Sequence, residues 1–350
     1  MRLLHVIERL APSGAATQVR LLASAGVAAG DQVTVASLCY PGPDGAAFAC
    51  AGVAVGWLGG RFAIDPFAAI RLRRLVRRLR PEAIQSWDAA SARQCRSART
   101  RGVRWAHVLR SSNETAPAGV DVVLGSDPSL DQTASPAPNA VDPAIAEAAL
   151  ARSVARLRLR EAGVDLSDES PAIAVVARLD DANAIKEFIW ASDLVRVVRP
   201  GLRLLVAGDG PAADAAARFA DAATERGTVA WLGDRVDRGI VLAACDVVWC
   251  AGTATRSTPL LEALAAGRPV VASAAGGRER WLAAHRPGTL GDATLTPALG
   301  DRAGWAKATD RLLADPAVAE RYAVGAWRSV AAEHSFDAVA AAHRRAMAVA

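Results

Sequence analysis

The stretch from Thr258 to Ala272, TPLLEALAAGRPVVA, sets a helix, a stop and a strand in direct succession. Leu260, Leu261 and Leu264 recur at helical spacing. Pro259 suits a first turn, where its missing N–H is not needed. Gly267 ends the helix, and Val270-Val271 reads as a parallel strand. Glu262 is then the only charge expected in the first helical turn, just past a strand predicted from Cys245 to Cys250. Ligands of open α/β sheets bind outside the carboxyl ends of the strands. A carboxylate there accepts two hydrogen bonds from a vicinal diol such as a ribose. It equally complements the helix dipole, and the segment alone favours neither reading.

The same alternation runs through the chain. Apolar runs at Leu3–Ile7, Gln32–Leu38, Val53–Val55, Ala83–Gln85, Val103–Leu109 and Val120–Gly125 read as strands. Helical periodicity covers Ala15–Ala28, Pro66–Arg80 and Ser91–Arg101. Residues 126–143 carry Pro128, Pro136, Pro138 and Pro143 among Ser, Asp and Asn, and read as a linker. A helix over Ile145–Ala162 precedes a second series, with strands at Ile173–Ala177, Leu202–Gly208, Thr228–Gly233, Asp246–Cys250 and Pro269–Ser273. A helix around Lys186–Val198 separates the first two, and alanine-rich helices follow from about residue 303. Strands alternating with helices mean βαβ units. The expected fold is α/β, two Rossmann-like doubly wound domains facing a cleft, divided as 1–135 and 136–350, with the last helix packing back on the first domain.

With 350 residues the chain accommodates two ordinary domains. The formal net charge is +5, carried almost wholly by arginine, since Lys186 and Lys307 are the only lysines. Cys39, Cys50, Cys95, Cys245 and Cys250 form no CxxC pair, which argues for free thiols in a reducing compartment. The histidines lack ligand spacing, so no metal site is expected. Glu8 and Arg9 interrupt the apolar opening, which reads as neither a signal peptide nor an anchor. No apolar run approaches the roughly 18 residues of a membrane span. Nucleic-acid binding is not expected, because no aromatic platform accompanies the basic residues. Pro66–Arg80 sets Arg71, Arg73, Arg74, Arg77, Arg78 and Arg80 among leucines and valines. That pattern fits a solvated helix face or peripheral contact with an anionic membrane.

The order of segments resembles the retaining glycosyltransferases of family 4, which have the GT-B fold. The resemblance rests on MRLLHVIERLAPSGAATQVRLLA at the start, RLVRRLRPEAIQSW, PNAVD (Pro138–Asp142), VARL (Val176–Leu179), PGLRLLVAGDGP (Pro200–Pro211), VAWLGDR, DVVWC and TPLLEALAAGRPVVASAAGG. It implies a nucleotide-diphosphate sugar held by the C-terminal domain, no further cofactor, and a glycan or lipid-linked acceptor. Arg178 stands where the family binds the diphosphate, and a guanidinium suits bidentate phosphate contact. Glu262 stands where the family binds the ribose. The resemblance makes this pair the catalytic set and implies donor contacts at Asn183, Gly208, Gly210, Thr258, Leu260 and Leu261. It puts Ser13 and Gly14 in the phosphate or acceptor loop, with Trp87 and Arg110 on the acceptor side beside His107, Ser111 and Asn113.

Several family positions are substituted. Asn183 and Ala184 stand where the family has Lys and Gly. Sliding the register to use Lys186 would misplace FIWA (Phe188–Ala191). The first of two family glutamates falls on Ala254, and nearby Arg256 is a candidate for phosphate. Ser13 and Ala16 replace Gly and Glu, and Asn139-Ala140 replaces Asn-Gly. Trp87 suits either the core or a sugar ring. Two function classes follow. One is a cytoplasmic glycosyltransferase, at the inner face of the membrane if the arginine helix docks there, with weakened catalysis. The other is a non-catalytic GT-B protein that binds a nucleotide sugar, a glycan or a protein.

Overall fold

A computed structural model describes residues 1–10, 13–40, 48, 52–60, 65, 67–99, 102–109, 115–125, 134–136, 138–142, 145, 151–234, 237–250, 258–273, 294–295, 297–298 and 300–348. The chain divides into two compact units, Met1–Ala140 with Glu333–Ala350, and Val141–Ala332. The division at Ala140 lies a few residues beyond the expected 135, and the chain end from Glu333 counts with the first unit.

The first unit has strands β1 (Arg2–Ile7), β2 (Gln32–Cys39), β3 (Ala54–Gly60), β4 (Ala83–Ser86), β5 (Arg104–Leu109), β6 (Val122–Gly125) and β7 (Ser135–Pro136). They form one parallel sheet in the order β3-β2-β1-β4-β5-β6-β7. Helices α1 (Gly14–Ala28), α2 (Ala68–Leu79) and α3 (Ala89–Ala98) lie between strands. Successive strand residues point to opposite faces. Leu3, Ile7, Val33 and Val35 therefore pack with Val19 and Leu22 of α1. Leu4, Val6, Ala36 and Leu38 pack with Leu72 and Val76 of α2 and Cys95 of α3. β7 lies inside the expected linker, pairing Ser135 with Leu124 and Pro136 with Gly125. An edge strand tolerates a proline because that side needs no ladder donor. β3 runs on to Gly60, past the expected Val55, because Ala36 and Ser37 of β2 pair with Gly56 and Trp57.

The second unit has β8 (Ala172–Val176), β9 (Arg203–Ala207), β10 (Val229–Gly233), β11 (Val247–Cys250), β12 (Val270–Ala272) and β13 (Thr294–Leu295). Their parallel order is β10-β9-β8-β11-β12-β13. The helices are α4 (Arg152–Glu161), α5 (Ala182–Val198), α6 (Ala213–Ala223), α7 (Arg238–Ala244), α8 (Thr258–Ala265), α9 (Arg302–Ala314) and α10 (Pro316–Glu333). Of the helix expected over Ile145–Ala162, Arg152–Glu161 and Ile145 are described as helical. One face holds Leu260, Leu261 and Leu264 of α8 with Val241 and Leu242 of α7. Each such buried leucine contributes about 1.5–3 kcal/mol. The other face centres on Trp249, Phe188 and Trp305, and Trp249 Nε1 donates to Thr309 Oγ1 at 2.8 Å. Arg156 is fully buried and donates to the carbonyls of Ala244, Ser167, Asp168 and Ser170.

Both sheets share one doubly wound order, with the first strand of each unit second to neither half but between them. The strand order reverses between β1 and β4, and again between β8 and β11. The last helix, α11 (Phe336–Ala348), returns to the first unit. Val339 and Met347 join its core, Gln85 Nε2 donates to His343 Nδ1 at 3.1 Å, and Arg344 pairs with Asp31 at 2.7 Å.

Candidate functional site

In the second unit, the reversal between β8 and β11 marks where a ligand of an open α/β sheet binds. Arg178 follows β8, and Glu262 lies on α8, the helix that follows β11. The two residues assigned to catalysis therefore come from the two chain segments that flank this switch point.

Arg178 is more than half exposed, and its Nε donates to Asp180 at 2.9 Å. An exposed pair of this kind is worth at most about 1 kcal/mol, so the guanidinium exchanges partners at little cost. Asp181 caps α5 by accepting from the Asn183 backbone N–H at 2.8 Å. Asn183 itself is exposed in the first turn of α5. Lys186 lies over the Phe219 ring, 5.3 Å from its centroid, which keeps it with the α5–α6 pairing.

Gly208 and Gly210 are where two loops meet. Gly208 has φ +147°, and a Cβ there would stand 1.8 Å from the Ala177 carbonyl oxygen. A Cβ on Gly210 would stand 2.4 Å from the carbonyl oxygen of Leu179. Backbone bonds Leu179 N–H to Asp209 O at 3.0 Å and Ala212 N–H to Leu179 O at 2.9 Å close the contact. The glycines thus hold the Arg178 loop against the loop after β9, since only a residue without Cβ fits so near another backbone.

Helix α8 starts at Thr258, so Glu262 falls beyond the first turn, which holds no acid. This corrects the expected position. Thr258 is buried, and the Leu260 and Leu261 side chains are core, so a ligand reaches these leucines through backbone groups alone. Glu262 is completely buried and pairs with Arg238, Nη2 to Oε1 at 3.0 Å. Arg238 opens α7 behind its cap Asp237, whose carboxylate accepts from Gly239 N–H at 2.8 Å. Sequence reading passed over Arg238. The available signal was a cation directly after a capping aspartate and ahead of an apolar helix.

The first-unit candidates fare differently. Ser13 caps α1, its Oγ accepting from Ala16 N–H at 3.2 Å, and Gly14 is the exposed first residue of that helix. Trp87 is core, which corrects its assignment to the acceptor side. It is 1% exposed, and its indole N–H donates to His5 Nδ1 at 3.2 Å. A buried indole offers no face to a sugar ring. His107 is also buried, with Ser86 Oγ 2.8 Å from its Nδ1. Asp88 caps α3 and accepts from the Glu8 N–H at 2.8 Å, so the chain's own groups bridge the switch point of this unit. Arg110, Ser111, Asn113, Ala254 and Arg256 lie outside the described residues.

Among the described residues, no group of three or more His, Cys, Asp or Glu is placed to hold a metal, and no helix is long and apolar enough to cross a membrane. Cys39, Cys95, Cys245 and Cys250 are buried, and burial pushes the Cys245 thiol up to about 12.

Comparison with known proteins bears on the fold and on the two segments that build it. Residues 12–119 match the family model described as Glycosyltransferase Family 4, and residues 170–315 match that described as Glycosyl transferases group 1. No curated protein sequence matches the chain. Among solved structures, HepE of Anabaena in complex with UDP and glucose is similar at a TM-score of 0.78 and 16% identity, over 100% of both chains. Sucrose-phosphate synthase from Thermosynechococcus elongatus is similar at 0.72 and 18%, over 99% of this chain and 98% of the other. A glycosyltransferase from Rickettsia africae is similar at 0.76 and 10%, over 99% and 97%. Two segments of the chain thus match glycosyltransferase family models, and the fold is that of GT-B proteins.

Proposed function

We propose that this glycosyltransferase-domain protein moves a sugar from a nucleotide-diphosphate donor to a glycan or lipid-linked acceptor, with retention and with weakened catalysis. The observation that carries the reading is that Arg178 and Glu262 flank the switch point between β8 and β11. The donor's diphosphate meets Arg178, its ribose diol meets Glu262, and backbone groups near Thr258, Leu260 and Leu261 complete the contact. HepE, whose structures hold UDP, UDP-glucose, or UDP and glucose, supports a nucleotide sugar as the ligand class.

In the reaction the bond from the anomeric carbon to the diphosphate oxygen breaks. The acceptor hydroxyl bonds to the same face, and its proton passes to the departing phosphate. Arg178 stabilises the charge that develops on that leaving group. No cofactor is needed beyond the donor. Asn183 gives no cation, and Lys186 is engaged by Phe219. Losing the usual Lys and the first Glu removes roughly 3–6 kcal/mol if the losses add, or about a hundred- to ten-thousand-fold in rate. Those substitutions favour the second reading, a non-catalytic protein that binds a nucleotide sugar, a glycan or a protein.

The site of action in this reading is the cytoplasm, and the inner face of the membrane if the arginine helix docks there. Support comes from α2, which buries Ala68, Leu72 and Val76 and exposes Arg73, Arg74, Arg77 and Arg78 beside Ile70. Its apolar face is taken up by the core, so the support for an anionic membrane is electrostatic, from the exposed arginines alone.

Incubation with UDP- and GDP-sugars, reading nucleotide release, tests turnover. Release with any donor supports the transferase. No release, together with nucleotide-sugar binding by calorimetry, leaves the binding protein.

A further inference from the structure

We propose that Asp180 is a specificity-determining residue of the donor site, disfavouring the free nucleoside diphosphate more than the nucleotide sugar; this rests on the donor reading above, in which Arg178 meets the diphosphate. Leu179, between Arg178 and Asp180, is a fixed point. Its side chain is 1% exposed, its N–H donates to Asp209 O at 3.0 Å, and its carbonyl accepts from Ala212 N–H at 2.9 Å. Arg178 and Asp180 stand on either side of that anchor, both more than half exposed. The two carboxylate oxygens of Asp180 are each 2.9 Å from Arg178 Nε. Asp180 thus takes the Nε side of the guanidinium, and a phosphate on the Nη side shares one cation with a second anion.

An anion beside a phosphate site repels each ligand in proportion to the ligand's charge. A nucleotide sugar carries one charge per phosphate. The free diphosphate gains most of a further one, because a terminal phosphate loses its second proton at about pH 6. The Asp180 carboxylate therefore weakens the product more than the donor and leaves an uncharged nucleoside alone. Asn183, where a cation would offset the repulsion, is neutral, and Lys186 lies over the Phe219 ring. The exposed pair grips Arg178 only weakly, so charge rather than positioning decides the sign. After transfer, Asp180 hastens the exchange of spent diphosphate for fresh donor.

Calorimetry at low salt compares uridine, the β-methyl ester of UDP and UDP, with the guanosine series in parallel, for the unaltered protein, Asp180→Asn and Asp180→Glu. The ester carries the donor's charge without committing to a sugar. Asparagine keeps an acceptor for Nε and removes the charge. In Asp180→Asn the nucleoside should bind as before, the ester about two- to threefold tighter, and the free diphosphate about fivefold tighter. High salt should erase both gains. Asp180→Glu should match the unaltered protein for all three ligands. A merely structural role would shift the melting temperature and move the three ligands equally. Equal gains for ester and free diphosphate, or no gain, overturn the inference. Weaker diphosphate binding in Asp180→Asn overturns it too, and makes Asp180 a positioning residue for Arg178. In each of these cases the donor reading stands. If the unaltered protein binds neither series, or if Arg178→Gln binds UDP as well as the unaltered protein does, the donor reading falls and the inference falls with it.

Discussion

Trp87 and His343 lie nearly parallel, their ring centroids 6.1 Å apart and their planes 11° from one another. The contact joins the loop after β4 to the last helix, and it sits in a buried polar chain. Trp87 donates to His5 Nδ1, and Gln85, the register partner of His5, donates to His343 Nδ1. Both imidazoles accept at Nδ1, so both are neutral.

Acid should therefore weaken the first unit. Burial lowers His5 to about 4, and burial together with the nearby His5 lowers His343 to about 3. Both folded values lie below the ordinary 6.5, so the unfolded chain binds more protons between these limits. Stability is complete above pH 6.5 and declines as pH falls towards 4 and 3, by at most about 1.4 kcal/mol per pH unit for each histidine. Urea unfolding between pH 7 and 4 measures the slope. His343→Gln should flatten it, and an equal slope in that variant would refute the cluster as its source.

Gly210→Ala and Gly208→Ala should destabilise the second unit by about 1–3 kcal/mol or more, as overpacking does. The opposing atoms are backbone carbonyls of Leu179 and Ala177, which have no rotamer to change. Thermal unfolding reads this directly. UDP affinity should fall as well, because the Arg178 loop is displaced.

Glu262→Gln should weaken UDP binding by roughly 10–100-fold, the value of a lost charge-assisted bond. It should also cost stability, since Arg238 then loses its buried partner. Unchanged UDP affinity in a variant with a lowered melting temperature would make the pair a structural one only.

Arg178→Gln should separate phosphate from nucleoside. UDP binding should fall about tenfold or more while uridine binding stays the same. The fold should be indifferent, because Arg178 is exposed and its pair with the neighbouring Asp180 is exposed too. Equal losses for UDP and uridine would place Arg178 away from the diphosphate.

Much of the architecture was legible in the pattern of the chain. Leu3 to Ile7 reads as a buried strand and is one, and Thr258 to Ala272 reads as helix, glycine stop and strand. Gly267 has φ +63°, as a left-handed stop requires. Helix starts were less legible. Helix α8 runs from Thr258, and its first turn holds no acid, so Glu262 lies beyond it. β7 and β13 were missed, because two-residue strands have no period to detect and exist only through their neighbours.

Local order along the chain determined the strands, the helices and the α/β class, because each rests on apolar spacing and on turn residues within a few positions. Tertiary structure alone decided what the polar groups meet. Trp87 read more readily as core than as a sugar platform, and it is His5 and His343, from distant parts of the chain, that settle it by enclosing the indole. Glu262 had no visible partner until α7 brought Arg238 to 3.0 Å. Hydrogen bonds and ion pairs act only at contact distance, and sequence separation does not report which side chains come into contact.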